Sequence, residues 1–486
     1  MESTFKKNLT MLFATSLLFL ALMNACKKKE QIVKNEEVPK AYTAVSTEEL
    51  CVDTWFPHTQ TPAPLEGKES SFANKSTTNA IFHQWSWQKF LWLTKPSYGA
   101  EKLPLFLNPE KIIQVSPHMD VITPVKGASV VLSATVQAGN DHGVLQTNPA
   151  YTKKGVSETV YYSIHIDPIM KAAAEKFKDA IVNKTLSKNN LASFPVGSLE
   201  LKVSWVATNA IPQEELGTYF RTTAAFKTTE GTYETKEVAL LGMHVVGVVE
   251  NHPEFIWATF EHDDLAPNYN WKKGQASATT NKLLFAKGVT QGISGIKYIK
   301  DTKPVEKYKV FDLFQYGVPR DAVTGAFMET AQNEPLNFNN IDKINTCVKA
   351  SLQDVWKNYF YNGSIWMDTD GYTKKQQAEI LVGLRGAIAN GSPLSFARGS
   401  LNCANVTMET FTQTFQDNVK SINVGTLANC FSCHNASGFP SIGGSPLYMS
   451  HIFDSYVKRA EGKKASEVEM LKAKHEVLEY QRLRLN

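Results

Sequence analysis

Between residues 110 and 300 the apolar positions recur with period two. Leu199, Leu201, Val203 and Trp205 alternate with Glu200, Lys202 and Ser204, the pattern of a strand with one face on a core. Residues 161–166, 219–226, 238–249 and 255–262 repeat it, separated by Gly, Asn and Pro turns. Outside this stretch the period is helical. Residues 81–93 are apolar nearly all round and stop before Pro96, which predicts a buried helix whose Trp85, Trp87 and Trp92 pack in a core rather than form a sugar-stacking surface. Val348, Leu352, Val355, Trp356 and Tyr359 form an apolar stripe at helical spacing, 375–388 reads as a further helix, and 467–485 as a charged amphipathic helix with no function of its own. The Asp368-Thr369-Asp370-Gly371 string lacks the other ligands of a calcium loop and reads as a turn. The expected fold class is α+β: an antiparallel β-sandwich-like body over 51–310 and a mainly helical C-terminal region over 311–486.

Composition changes this picture only at the N-terminus. The 486 residues carry a net charge of +4 from 51 Lys and Arg against 47 Asp and Glu, with no concentrated basic face, so no nucleic-acid partner is expected. Lys6 and Lys7 precede an apolar run, 11–23, too short to span a bilayer. Leu22-Met23-Asn24-Ala25-Cys26 then resembles a bacterial lipobox, giving a signal peptide over 1–25 and a lipidated Cys26; the alternative is an ordinary signal peptide with an incidental cysteine. Multiple acyl chains would hold such a protein on the membrane almost permanently. Residues 26–50 are polar and read as a flexible tether. The expected place is the cell envelope, lipid-anchored to a bacterial membrane on its periplasmic or cell-surface side.

The chemistry sits in Cys430-Phe431-Ser432-Cys433-His434. Cys-x-x-Cys-His is the attachment signature of a c-type haem: the two thiols form thioethers to the haem vinyl groups, and the imidazole becomes the proximal ligand of the iron. A thioredoxin-like pair would need a strand before the first cysteine, and a zinc site two more ligands at matching spacing. Neither is evident. A zinc site and a structural disulfide remain as competitors. The expected cofactor is therefore covalently bound haem c with Cys430, Cys433 and His434 as its binding residues, in keeping with an exported protein. Electron transfer to a redox partner protein is the leading expectation. The alternatives are a haem-dependent, peroxidase-like oxidoreductase with an open iron, and a β-sandwich binding protein in which the haem is accessory.

Two further groups are candidates. After the motif, Met449 or His451 could supply the second iron ligand, with Met408 more remote and an open sixth position also possible. On the predicted strands 241–246 and 257–262, His244, Glu261 and His262 could form a second site. Pairing Val249 with Phe255 would make His244 and His262 diagonal neighbours, and a slip of one residue would bring Glu261 toward His244 instead. Of the cysteines left over, Cys51, Cys347 and Cys403, the pair Cys347–Cys403 is the preferred disulfide because both precede the motif on the same side.

The strings Trp85-Ser86-Trp87-Gln88-Lys89-Phe90, Phe255-Ile256-Trp257-Ala258-Thr259-Phe260-Glu261-His262, Val355-Trp356-Lys357-Asn358-Tyr359, the Cys430–His434 pentapeptide and Ser450-His451-Ile452-Phe453 together resemble a family of bacterial cytochrome c envelope proteins. The resemblance spans most of the chain beyond residue 80. It implies a covalent haem and a shared architecture, and names no substrate. Its Ser-His-Ile-Phe string favours His451 as the second iron ligand. The chain departs from the family after Phe90, where Leu91-Trp92-Leu93-Thr94-Lys95-Pro96 replaces the usual Ala-Leu-Asn-Trp-Pro.

Overall fold

A single large sheet carries the chain. The computed structural model describes residues 50–485 apart from 101, 135–144, 229, 293–312, 318–319, 321–328, 331, 333–339, 386–395, 401–402, 409–428 and 440–442. The expected signal peptide, Cys26 and the tether up to residue 49 lie outside the described residues. In chain order the elements are α1 (Asn79–Thr94), β1 (Ile113–Val115), β2 (Val130–Leu132), β3 (Tyr161–Ile166), α2 (Pro168–Val182), β4 (Leu199–Ala207), β5 (Arg221–Lys227), β6 (Tyr233–Val249), β7 (His252–His262), α3 (Asn340–Ser351), β8 (Tyr359–Met367), α4 (Lys374–Leu384), β9 (Ala397–Gly399), α5 (Cys430–Cys433), α6 (His451–Ala460) and α7 (Ala465–Leu485). The sheet order is β9-β8-β7-β6-β4-β3-β1, all antiparallel. Strand β5 pairs with the first half of β6 and, in parallel, with β2.

The expected body, 51–310, supplies seven of these strands, and the expected helical region supplies β8 and β9. All the described residues belong to one compact unit. The layers differ from the expected sandwich. Both faces of the sheet are covered by helices and loops rather than by a second large sheet, which is why all eleven residues of β7 are buried. Residues 348–359 also differ from the single helix expected there. Helix α3 ends at Ser351, the Asp354 carboxylate accepts from the Trp356 amide at 3.1 Å, and the aromatic run from Tyr359 becomes β8. A local side chain-to-backbone bond competes with helix continuation, and the apolar spacing alone cannot register that.

On the first face α1 packs its aromatic residues. Phe90 stacks on Phe260 at 4.0 Å, Phe82 on Trp366 at 3.9 Å, and Trp87 meets Phe260 edge-on. Trp85 lies over Gly247, where a Cβ would come within 2.7 Å of its ring. Trp85 and Trp87 are thus core, as expected. A disulfide links Cys51 to Cys347 on α3, while Cys403 is a buried thiol. This corrects the expected Cys347–Cys403 bond. The pairing follows from α3 packing near the start of the fold, 296 residues away in sequence. The second face holds α2, α4, α6 and the pentapeptide. Val246, Phe255, Trp257, Ile164 and Met367 of the sheet share a core there with Phe431, Met449 and Phe453.

Candidate haem site

Helix α5 is a single turn fixed at its start by a reciprocal cap. The Asn429 side chain accepts from the Phe431 amide at 3.0 Å, and Ser432 Oγ accepts from the Asn429 amide at 2.7 Å. The His434 amide donates to the Cys430 carbonyl at 2.8 Å, carrying the turn onto the histidine. Phe431 and Ser432 are buried, whereas Cys430, Cys433 and His434 are half-exposed. Those three positions are i, i+3 and i+4, one face of a turn. Neither thiol is in a disulfide.

The imidazole of His434 is oriented by two neighbours. Its Nδ1 lies 3.0 Å from the Met449 carbonyl. A carbonyl only accepts, so Nδ1 carries the proton and Nε2 the lone pair, the form that metal ligation needs. The ring also packs on Trp257 of β7, with centroids 4.2 Å apart. Two thiols on one face of a turn, followed by an imidazole in this tautomer, fit a covalently held haem. Cys430 and Cys433 would carry the thioethers and His434 Nε2 the iron.

His451 and Met449 are both close to this turn, on the side of His434 itself. The rings of His434 and His451 stack at 4.0 Å and 24°, and His451 Nε2 donates to the Cys433 carbonyl at 3.1 Å. Burial holds His451 neutral, well below the ordinary histidine range. Metal–imidazole bonds of about 2 Å on opposite sides of an iron set two ring centroids farther apart than 4.0 Å. Met449 contributes its carbonyl, and its side chain is packed in the core of the second face. Met408 is buried in a separate cluster with Leu241 and Val406.

The structure divides the second candidate group. Register pairs Gly242 with Glu261 and His244 with Thr259, with an irregularity between Gly247 and Val249. Cross-strand partners share a face, so His244 and Glu261 are diagonal neighbours on the second face. His262 lies on the first, stacked on Tyr219 at 3.6 Å, donating from Nε2 to the Thr218 carbonyl and accepting at Nδ1 from the Asp264 amide. Burial pushes its pKa down to about 3, so it is a neutral, fully engaged core histidine. Glu261 is buried and accepts from Asn362 at 3.2 Å. Among the described residues, no group of three or more His, Cys, Asp or Glu is placed to hold a metal ion.

No family model, curated protein or solved structure matches this chain. Sequence reasoning missed three contributors. Trp257 abuts His434. Ser450 caps α6, accepting from the Phe453 amide at 3.3 Å, and donates to Glu200 at 2.7 Å, which ties the segment to β4. His475 of α7 is buried against Phe439 and His451, with centroids 5.9 and 6.1 Å away. A signal for His475 was present: it stands seven residues after Val468, on the same stripe of a helix expected to be merely solvated.

Proposed function

We propose that the protein is a monohaem c-type cytochrome lipoprotein that carries electrons within the bacterial cell envelope, anchored through Cys26 and docking to a redox partner protein. One observation carries this reading. Cys430, Cys433 and His434 share one half-exposed face of a capped turn, with the His434 proton assigned to Nδ1 by the Met449 carbonyl. Bound there, a haem supplies a one-electron iron couple. The chain's own residues do the rest. The thiols fix the macrocycle, the Met449 carbonyl raises the basicity of the ligating imidazole, and Trp257 holds the ring plane. The body of the turn is buried on the sheet through Phe431, so the redox group is held on a rigid support, as low-reorganisation electron transfer requires.

The test uses the full chain made in a host competent for covalent haem attachment. Haem that survives denaturing electrophoresis in the wild type and is lost in a Cys430→Ser/Cys433→Ser variant supports the reading. Equal haem retention by that variant defeats it.

A further inference from the structure

The carbonyl that orients His434 belongs to the peptide between Met449 and Ser450, and the sheet holds that peptide through side chains. Ser450 Oγ donates to Glu200 Oε2 of β4 at 2.7 Å while accepting from the Phe453 amide at 3.3 Å. The backbone gives the peptide weaker support. The Ser450 amide reaches the Leu447 carbonyl at 3.4 Å, beyond the usual range for such bonds. Packing alone does not explain a carboxylate at position 200. One row of the second face runs across β3, β4, β6 and β7 as Ile166, Glu200, Val246 and Trp257, each opposite the next. Its other three members are apolar, and burial pushes the Glu200 pKa up. A carboxylate in such a row is costly unless a hydrogen bond compensates it, and the Ser450 hydroxyl supplies that bond.

We propose that Glu200 is a positioning residue for the iron ligand: through Ser450 it fixes the Met449 carbonyl against His434 Nδ1, and so sets the basicity of the imidazole and the potential of the iron. This rests on the proposed haem attachment. The imidazole is then referred to one row of the sheet at two points. Trp257 packs on its ring, and the Glu200–Ser450 tether holds the acceptor of its Nδ1 proton. The two anchor residues lie two strands apart, roughly 10 Å, a spacing set by strand register rather than by a loop. Cutting the tether frees the carbonyl to swing away from the ring. An imidazole without that acceptor is the weaker base and stabilises the ferric state less, so the reduction potential rises.

The experiment combines redox titration of the full haem-loaded chain with NMR of its isotope-labelled histidines in the reduced state. Glu200→Ala keeps the Ser450 cap of α6 and cuts only the tether. It should retain covalent haem, shift the redox equilibrium about tenfold toward the reduced form, ~59 mV for one electron, and move the His434 Nδ1 proton signal from its hydrogen-bonded position. Ser450→Ala should do the same, which keeps the test open if Glu200→Ala fails to fold. The double variant should change the potential no further, because both single changes cut one tether. Ser450→Thr keeps the hydroxyl and should restore the wild-type potential and proton signal. An unchanged potential and proton signal in Glu200→Ala or in Ser450→Ala overturns the assignment while leaving haem attachment standing. Additive shifts in the double variant overturn it too, since Glu200 would then act apart from Ser450. A wild type with no covalent haem overturns the proposed function and this assignment with it.

Discussion

Removing the Cys51–Cys347 bond is a perturbation whose size follows from the fold. The bond joins residues 296 apart, so its reduction frees nearly the whole sheet-forming chain in the unfolded ensemble. Loop-closure entropy for that length is worth roughly 5–6 kcal/mol, and measured disulfides more often deliver about 2–4. Cys51 is nearly buried and Cys347 packs against the same core, so the native state changes little when the link is cut and most of the effect falls on the unfolded chain. Cys51→Ser and Cys347→Ser should each lower stability by about 2–4 kcal/mol, a large share of the ~5–15 kcal/mol typical of a folded domain. Because both remove one bond, the double variant should cost no more than either single one. The assay is urea unfolding followed by tryptophan fluorescence, with peptide mapping of the unreduced wild type. Thioethers resist thiol reductants, so mild reduction of the wild type should reproduce the variants without releasing haem. A Cys347–Cys403 peptide in the map, or a Cys51→Ser variant as stable as wild type, would refute the reasoning.

Other outcomes are expected from particular contacts. Burial raises the Asp454 carboxyl from 3.8 to about 7, so from about pH 4 to 7 the folded protein holds a proton that the unfolded chain has released. Stability should therefore fall as pH rises through that window, by up to ~4 kcal/mol, and flatten above it. Asp454→Asn should remove that slope and be the more stable protein at pH 8; a wild-type advantage that grows with pH would contradict this. Gly247→Ala places a methyl 2.7 Å from the Trp85 ring and should cost about 1–3 kcal/mol, read as a lower thermal midpoint. His262→Ala removes one of the two donors to the Thr218 carbonyl, which Asn358 also serves, together with the acceptor of the Asp264 amide, and should cost about 1–3 kcal/mol while leaving any haem spectrum unchanged. A spectral change there would place His262 at the redox centre.

Strand positions were legible because period-two alternation is local: residues 161–166, 199–207 and 238–249 are strands as the pattern says. The sandwich was not, since alternation tells which residues meet a core and not whether a sheet or a helix lies across it. Strand β8 was hidden because Val355, Trp356 and Tyr359 fall on helical spacing by coincidence, while Asp354 breaks the helix locally. The register of β6 and β7 turned on an irregularity near Gly247, which moved Glu261 to the face of His244 and left His262 on the other. The pentapeptide was legible outright, because its chemistry fixes its spacing. What supports it, the Met449 carbonyl, Trp257 and His475, comes from distant parts of the chain, and no local pattern joins them.

The central claim is a haem covalently held by Cys430 and Cys433. The most direct measurement is the intact mass of the denatured protein produced in a host competent for c-type haem attachment. The account predicts a species heavier than the processed polypeptide and its lipid by one haem, with the added mass localised to the peptide containing residues 430–434. A polypeptide of that cellular history with two unmodified thiols at Cys430 and Cys433, or with those two joined to each other, would contradict it.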